Sequence, residues 1–406
     1  MSVETVSLGC RLNFAEAETI ARTAPSGEEW IIVNSCAVTN EAVRQTRQAI
    51  RSARRRRPDA RILVTGCAAE LDPASFRAMP EVDRVVGNAH KLRNPLVPSD
   101  VEGRVSTSLD TNGSWHDAVA PVPAGSHARV RSFVAVQTGC DHRCTFCSIW
   151  KARGPSVSYP FGAIRDAIAR EIDRGAKEIV LTGVDITDYA GGLGALCQRL
   201  LAAEPRLKRL RLSSLDSVEI DGALLELIAG EPRLLPHFHL SLQAGDDLVL
   251  KRMKRRHSRA QAVGMVEKIK AARPEATIGA DLIAGFPTES EEMALNSLKL
   301  LDDCDIVAAH VFPFSPRPGT PAARMPQLPP ELVKARAARL RGAANARRRA
   351  WLDGLVGSVQ PVLVEAAGKG HSDGFAPIIV EGAQRGDFGV ARIAARDGDQ
   401  LLGVWA

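Results

Sequence analysis

The spacing of apolar and polar positions changes character several times along the chain. Apolar runs at 3–8, 30–33, 61–64 and 82–86 read as strands, and 13–23 reads as a helix with apolar positions three and four apart. Thr39 is placed to cap a second helix running to about residue 56, with Ala42, Thr46, Ala49, Ile50 and Ala53 on one face. Alternation of this kind predicts an open parallel sheet. From residue 132 it resumes with six strands, at 132–137, 178–181, 209–212, 237–242, 277–283 and 306–312, separated by amphipathic helices such as 161–174 and 260–272. Six βα units predict an incomplete parallel barrel whose chemistry sits at the strand C-terminal ends. Pro313, Pro316, Pro318 and Pro321 close that run, and an Arg/Ala-rich helix follows over 330–352. Short apolar runs at 359–365, 376–381, 388–394 and 401–404, separated by Gly-rich turns, predict a small β-barrel. The stretch 94–129 has no sustained period and is rich in Pro, Gly, Ser and Asp, which marks a linker. The expected fold class is therefore α/β: an open parallel-sheet domain over 1–94, a linker over 95–128, a partial (βα)6 barrel over 129–352 and an all-β barrel over 353–406.

Composition narrows the function classes. With 45% hydrophobic and 25% charged residues, a wholly disordered, collagenous or coiled-coil chain is excluded. No uncharged apolar run reaches the ~18 residues of a membrane span, and no basic stretch followed by an apolar core opens the chain, so a cytoplasmic protein without membrane contact is expected. The net charge of +6 is mild but unevenly placed. Arginines crowd 44–61, Lys and Arg crowd 251–259, and Arg347, Arg348 and Arg349 end the long helix. Such clusters suit a polyanion such as RNA, or they answer helix macrodipoles.

In a reducing compartment the eight cysteines point to metal or catalysis rather than to disulfides. Cys10, Cys36 and Cys67 each follow one of the first three strands, so an open parallel sheet would bring them to one edge. The alternative is three unrelated core cysteines; the small and polar neighbours in Leu8-Gly9-Cys10, Asn34-Ser35-Cys36 and Thr65-Gly66-Cys67 favour turns. Cys197 and Cys304 lie at apolar periodic positions and read as core. Cys140, Cys144 and Cys147 form C-x3-C-x2-C directly after the first barrel strand. Three thiolates on one short loop can hold three irons of a cubane and leave the fourth open, whereas structural zinc would want a fourth protein ligand nearby. Gly191-Gly192-Leu193-Gly194 lacks the Lys-Ser/Thr of a phosphate loop and reads as a helix opening.

The C-x3-C-x2-C loop resembles the motif of the radical SAM superfamily. Together with the N-terminal triad, the chain is similar to the methylthiotransferases over nearly its whole length. The matching stretches include Leu8-Gly-Cys10-Arg-Leu-Asn13 with Glu16 and Glu18, Val33-Asn-Ser-Cys36-Ala-Val-Thr39 and Val64-Thr-Gly-Cys67. They continue through Lys177–Val184, Leu212-Ser-Ser214, Ser241–Asp246, Asp281–Pro287 and His310–Thr320, and the tail resembles the TRAM barrel of that family. Two stretches depart: Ile149-Trp-Lys-Ala-Arg153 stands for Ile-Pro-Tyr-x-Arg, and Phe286-Pro-Thr-Glu289 for Phe-Pro-Gly-Glu. The resemblance implies two [4Fe-4S] clusters, one on each triad, and S-adenosylmethionine bound at the open iron of the loop cluster. It implies that the loop cluster generates a radical, that the N-terminal cluster delivers sulfur, and that a low-potential electron donor and a sulfur source take part. It further implies cofactor contacts from Gln243, Arg255 and Asp281, although Arg255 also reads as a solvated basic helix end.

Ala37-Val38-Thr39 after Cys36, with the basic helix behind it, resembles the branch that modifies N6-threonylcarbamoyladenosine at position 37 of tRNA, placing the methylthio group on C2. The same chemistry on isopentenyl-type adenosine or on a ribosomal-protein aspartate is the alternative. Residues 355–406, with four basic and six acidic side chains, give it weight because they suit phosphate poorly. A non-catalytic two-cluster electron carrier is a third reading, against which the six-unit barrel counts.

Overall fold

The computed structural model describes residues 3–25, 27–93, 96, 122–125 and 130–406. Its N-terminal part is a four-stranded sheet in which Glu4–Ser7, Trp30–Ser35, Arg61–Gly66 and Arg84–Val85 run parallel in chain order. Trp30–Ser35 is buried at every position, as a central strand covered on both faces requires. Thr39 caps the helix Asn40–Arg56 by accepting the Ala42 N–H, and Thr46, Ile50 and Ala53 form its buried stripe. The first helix, Arg11–Ala21, begins two residues earlier than the periodicity suggested, directly behind Cys10.

The central part is the expected incomplete barrel. Leu210–Leu212, Glu178–Thr182 and Arg131–Ala135 form one parallel sheet, and His237–Gln243, Thr277–Ala284 and Ile306–Pro313 form another. Parallel bridges Leu210–Leu234 and Leu215–Leu240 join the two into a continuous wall. Most of the expected linker lies outside the described residues. Within it, Ala124–Gly125 is a short strand pairing antiparallel with Phe133 and Val134, so 122–125 belongs to the barrel edge rather than to a linker. Helix Arg11–Ala21 leans on that edge: Thr19 Oγ1 donates to the Ala124 carbonyl, and a Cβ on Gly125 would come within 2.6 Å of the Glu18 side chain. Phe14 meets Phe133 edge-on at 5.6 Å.

The C-terminal part closes into a five-stranded barrel, Val359–Ala366, Lys369–Ser372, Pro377–Val380, Gln400–Trp405 and Phe388–Asp397 around the ring. Its second strand, Lys-Gly-His-Ser, carries no apolar alternation to betray it; it exists because Val359–Ala366 and Pro377–Val380 both pair with it. The turn after it inserts into the N-terminal end of the large barrel. There Glu178, fully buried, receives Arg131, Arg209 and Arg211, while Arg209 also binds Asp373 at 2.5 Å and Arg211 donates to the Ser372 and Asp373 carbonyls. Phe375 stacks on His237 and His371, with ring centroids 5.1 and 4.5 Å away. Burial alone would raise the Glu178 carboxyl, but the three guanidiniums outweigh it and hold it at about 2.

Glu178→Gln keeps the shape of this junction and removes the one charge that three buried arginines share. It is expected to cost about 3–5 kcal/mol and to lower the thermal unfolding midpoint, read by calorimetry; an unchanged midpoint would show that the arginines find other partners. Because the folded carboxyl is held down, its contribution is present above about pH 4.5 and lost as pH falls toward 2.

Candidate active site

The first three strands end at Cys10, Cys36 and Cys67, on the edge where an open parallel sheet receives ligands. Cys10 precedes the first turn of Arg11–Ala21 and Cys67 opens the short helix Cys67–Leu71. Gly9, at φ +93°, sits between two of the thiols: a Cβ there would lie 2.5 Å from Cys36 Sγ, so only glycine permits the approach. Burial pushes the Cys36 thiol up to about 11, and Cys10 and Cys67 add to the rise, as expected of thiols gathered at one point. The Val38 N–H donates to Cys36 Sγ at 3.5 Å.

The second triad stands on the loop after the first barrel strand. Buried Gln137 shapes its entry: its amide donates to the Gly139 carbonyl and Ser156 Oγ, and its oxygen accepts from the Val184 and Asp185 N–H groups. Gly139, at φ +77°, touches the turn after the helix Ile149–Arg153 so closely that a Cβ would lie 1.7 Å from the Pro155 carbonyl oxygen. Burial, with Asp185 next in weight, pushes Cys140 up to about 12, and burial pushes Cys147 up to about 11. As free thiols both hold their protons at neutral pH, so a metal must displace them on binding. His142, between the cysteines in sequence, is turned away from them in role. Its Nε2 lies 2.8 Å from Asp185 Oδ2 and 3.7 Å from Glu219, and donating to these two carboxylates raises its pKa to about 10.

One arginine connects the triads. Arg153 ends the helix Ile149–Arg153 that follows Cys147, and it is buried. Its Nε donates to Cys67 Sγ at 3.2 Å, its Nη1 to Glu16 at 2.7 Å and its Nη2 to Asn13 Oδ1 at 2.6 Å. Glu16 also receives Lys91 Nζ at 2.5 Å and Asn34 Nδ2 at 3.2 Å. Burial would raise the Glu16 carboxyl, but Arg153 and Lys91 outweigh it and hold it at about 2. Asn13 Nδ2 in turn donates to the Leu8 and Ser35 carbonyls, tying the Cys10 and Cys36 turns together.

The remaining expected residues fall out as follows. Arg255 is buried at the loop: Nη2 donates to Asp216 and to the Ser241 carbonyl, both at 2.9 Å, and Nη1 faces Cys144 Sγ at 3.7 Å. It is not a solvated helix end. Gln243 ends its barrel strand at φ +66°, a strained backbone for a non-glycine residue. Asp281 Oδ1 accepts from His239 Nε2 at 3.0 Å and His310 Nδ1 at 3.1 Å within the barrel, which holds its carboxyl well below the ordinary range against the opposing effect of burial. Cys197 and Cys304 are fully buried in the barrel core, away from both triads. Thr288, where glycine was expected from the resemblance, is at φ +65°. Trp150 lies under the Arg143 guanidinium at 4.1 Å from the ring centre.

The basic clusters are largely answered from within. Arg54 binds Asp83 and the Glu81 carbonyl, Arg56 binds Glu4, Arg57 binds Glu29, Arg256 binds Glu219, Arg259 binds Asp303, and Arg347 binds Asp302 and Asp305. Much of what read as a polyanion surface is therefore structural pairing. Conversely, Gln137, Asp216 and His239 carry no role in the sequence reading, and His310 enters it only as the start of a matching stretch; inward strand alternation is the signal for the two histidines.

Each triad fits an iron–sulfur cubane with three thiols; His142 and Asp185 lie within 4.8 Å of the Cys140 thiol but are paired with one another. The loop triad also fits a polar cofactor at the open iron. Arg255 Nε is buried with no partner among the described residues, a donor left aimed into the site.

Residues 134–301 match the Radical SAM superfamily, and residues 2–87 match the Uncharacterized protein family UPF0004. The threonylcarbamoyladenosine tRNA methylthiotransferase MtaB of Rickettsia prowazekii is 43% identical over 383 residues, covering 92% of this chain and 90% of its own. The tRNA-2-methylthio-N(6)-dimethylallyladenosine synthase of Erythrobacter litoralis is 33% identical, covering 89% and 86%. Among solved structures, the radical S-adenosylmethionine methyltransferase TsrM of Kitasatospora setae aligns with a TM-score of 0.56 at 15% identity, over 82% of this chain and 80% of that one, which bears on fold alone. With sequence similarity of this extent and two cysteine triads joined through one buried arginine, the chain belongs to the radical SAM methylthiotransferase family.

Proposed function

We propose that this enzyme adds a methylthio group to C2 of N6-threonylcarbamoyladenosine at position 37 of tRNA, with the loop triad as the radical-generating site and the N-terminal triad as the sulfur-delivering one. The carrying observation is the Arg153 bridge: the helix that follows the loop triad sends this side chain to Cys67 and Glu16 beside the N-terminal triad. A reaction that puts sulfur on a carbon activated elsewhere needs that juxtaposition. The relatives named for threonylcarbamoyladenosine support the substrate, at 43% identity in Rickettsia prowazekii and 34% in Thermotoga maritima.

Cys140, Cys144 and Cys147 would ligate one cluster and Cys10, Cys36 and Cys67 the other. Bound there, the clusters and S-adenosylmethionine supply one-electron chemistry at an unreactive C–H position that no side-chain base can deprotonate. The chain's own residues bind and orient. Arg255, anchored by Asp216, presents its free Nε and is suited to an amino-acid carboxylate. Gln243 offers a polar side chain at the same strand end, and Asp281, held by two imidazoles, stands deeper on the same wall. Gln137 fixes the loop from below. An external low-potential reductant and a sulfur source complete the reaction, in the cytoplasm, where tRNA is met. No helix among the described residues is long and apolar enough to cross a membrane.

Three outcomes are expected. Anaerobic reconstitution should load about eight irons per chain, unchanged in Cys197→Ala and Cys304→Ala; a halved count in either would reassign a ligand. Cys144→Ala should abolish formation of 5′-deoxyadenosine, whereas Cys67→Ala should keep most of it and lose the methylthiolated product; full product from Cys67→Ala would sink the division of labour. In a deletion strain, mass spectrometry of tRNA nucleosides should show loss of methylthiolated threonylcarbamoyladenosine, restored by this gene. Loss of the isopentenyl-type derivative instead would move the substrate to the other branch.

A further inference from the structure

The barrel interior is rich in cations, and nearly all are committed. Arg131 is shared by Glu178 and Glu365, Arg209 by Glu178 and Asp373, and Arg211 by Glu178 and two carbonyls. Asp281 is taken by His239 and His310. Arg11 is different. It directly follows Cys10, and its guanidinium carbon lies 5.9 Å from the centre of the Phe133 ring. Phe133 is two residues along the strand from Arg131 and so faces the same interior. Among the described residues, that ring is the only group placed against the Arg11 guanidinium; no carboxylate or carbonyl accepts from it. Burial, then the nearby charge of Arg131, lowers its pKa, with Glu178 and Asp281 opposing only through space. A half-buried guanidinium with five donors and no protein acceptor among the described residues stands ready for an anion.

The threonylcarbamoyl substituent ends in the free carboxylate of threonine; a dimethylallyl substituent carries no charge. Resting on the substrate read above, we infer that Arg11 is the receptor for that carboxylate and determines which modified adenosine the enzyme accepts. A carboxylate suits the guanidinium fork bidentately, and an uncharged substituent would leave the fork desolvated and unpaired. Its place beside Cys10 puts the substituent next to the triad that would deliver sulfur. Asp281, already held by two histidines, does not compete for Arg11.

The test uses reconstituted holoenzyme and two anticodon stem-loop RNAs, one bearing threonylcarbamoyladenosine and one its neutral carboxamide. Wild type should prefer the carboxylate, and Arg11→Gln should raise KM for it about 10- to 100-fold while leaving KM for the carboxamide within about twofold. Arg11→Lys, which keeps the charge, should recover part of the preference. Iron content and RNA-independent formation of 5′-deoxyadenosine should match wild type, which separates recognition from damage at Cys10. Equal losses on both RNAs would make Arg11 a phosphate or structural contact and overturn the inference, as would no loss on either. Should Arg11→Gln fail to hold iron, Arg11→Lys decides: with iron intact, a KM raised for the carboxylate RNA alone supports the receptor, and KM values for the two RNAs that are unchanged or raised equally overturn it. If wild type leaves the threonylcarbamoyl RNA unmodified, the substrate reading itself fails and the inference falls with it; if wild type modifies it and Arg11→Gln discriminates equally well, the inference alone fails.

Discussion

Two positive charges and one negative charge are sealed together where the N-terminal sheet meets the barrel. Arg153 and Lys91 share Glu16, and the group is closed from solvent. Removing a guanidinium and an ammonium from water is expensive, and one carboxylate answers only half of that charge. The remainder falls beside Cys67 Sγ, 3.2 Å from Arg153 Nε. A thiolate at Cys67, as metal ligation would demand, would supply the missing negative charge, which would tie the junction between the two parts to the ligand state of the N-terminal triad. Asn13 and Asn34 extend the same hydrogen-bond net to the Cys10 and Cys36 turns. The relative placement of the two triads thus follows from satisfying buried polar groups, with Ile149 and Ala152 packing into the N-terminal core beside them.

The opposite end of the barrel carries an imbalance of the same sign. One buried carboxylate, Glu178, gathers three arginines, whose surplus charge is met by Asp373, Glu365 and backbone carbonyls of the C-terminal barrel. Each of the outer parts is therefore held to the central barrel by a charge imbalance that it alone corrects. Apolar packing builds the three cores, and ion pairing sets how they are assembled.

Most of this architecture was legible because it is periodic. The parallel strands, the Thr39 cap and the placement of Cys10, Cys36 and Cys67 at strand ends follow from alternation and spacing alone. What escaped was set by partners distant in sequence. Lys369–Ser372 is a strand because two neighbours pair with it, and Ala124–Gly125 because the barrel edge offers hydrogen bonds. The arginine-rich segments read equally as a nucleic-acid surface or as answers to helix dipoles because their carboxylate partners lie tens of residues away, such as Asp83 for Arg54 and Glu4 for Arg56. Arg153 and Glu16 stood within the matching motifs, but only the fold reveals that they meet.

The Phe375 turn has a consequence for traffic. Stacked between His237 and His371, and latched by Arg211 to the carbonyls on either side of the turn's start, it stoppers the lower end of the barrel. The lower end is then shut to traffic, so reagents and spent fragments come and go by the strand C-terminal end, where the thiol triads stand, or by the gap that an incomplete barrel leaves between its edge strands.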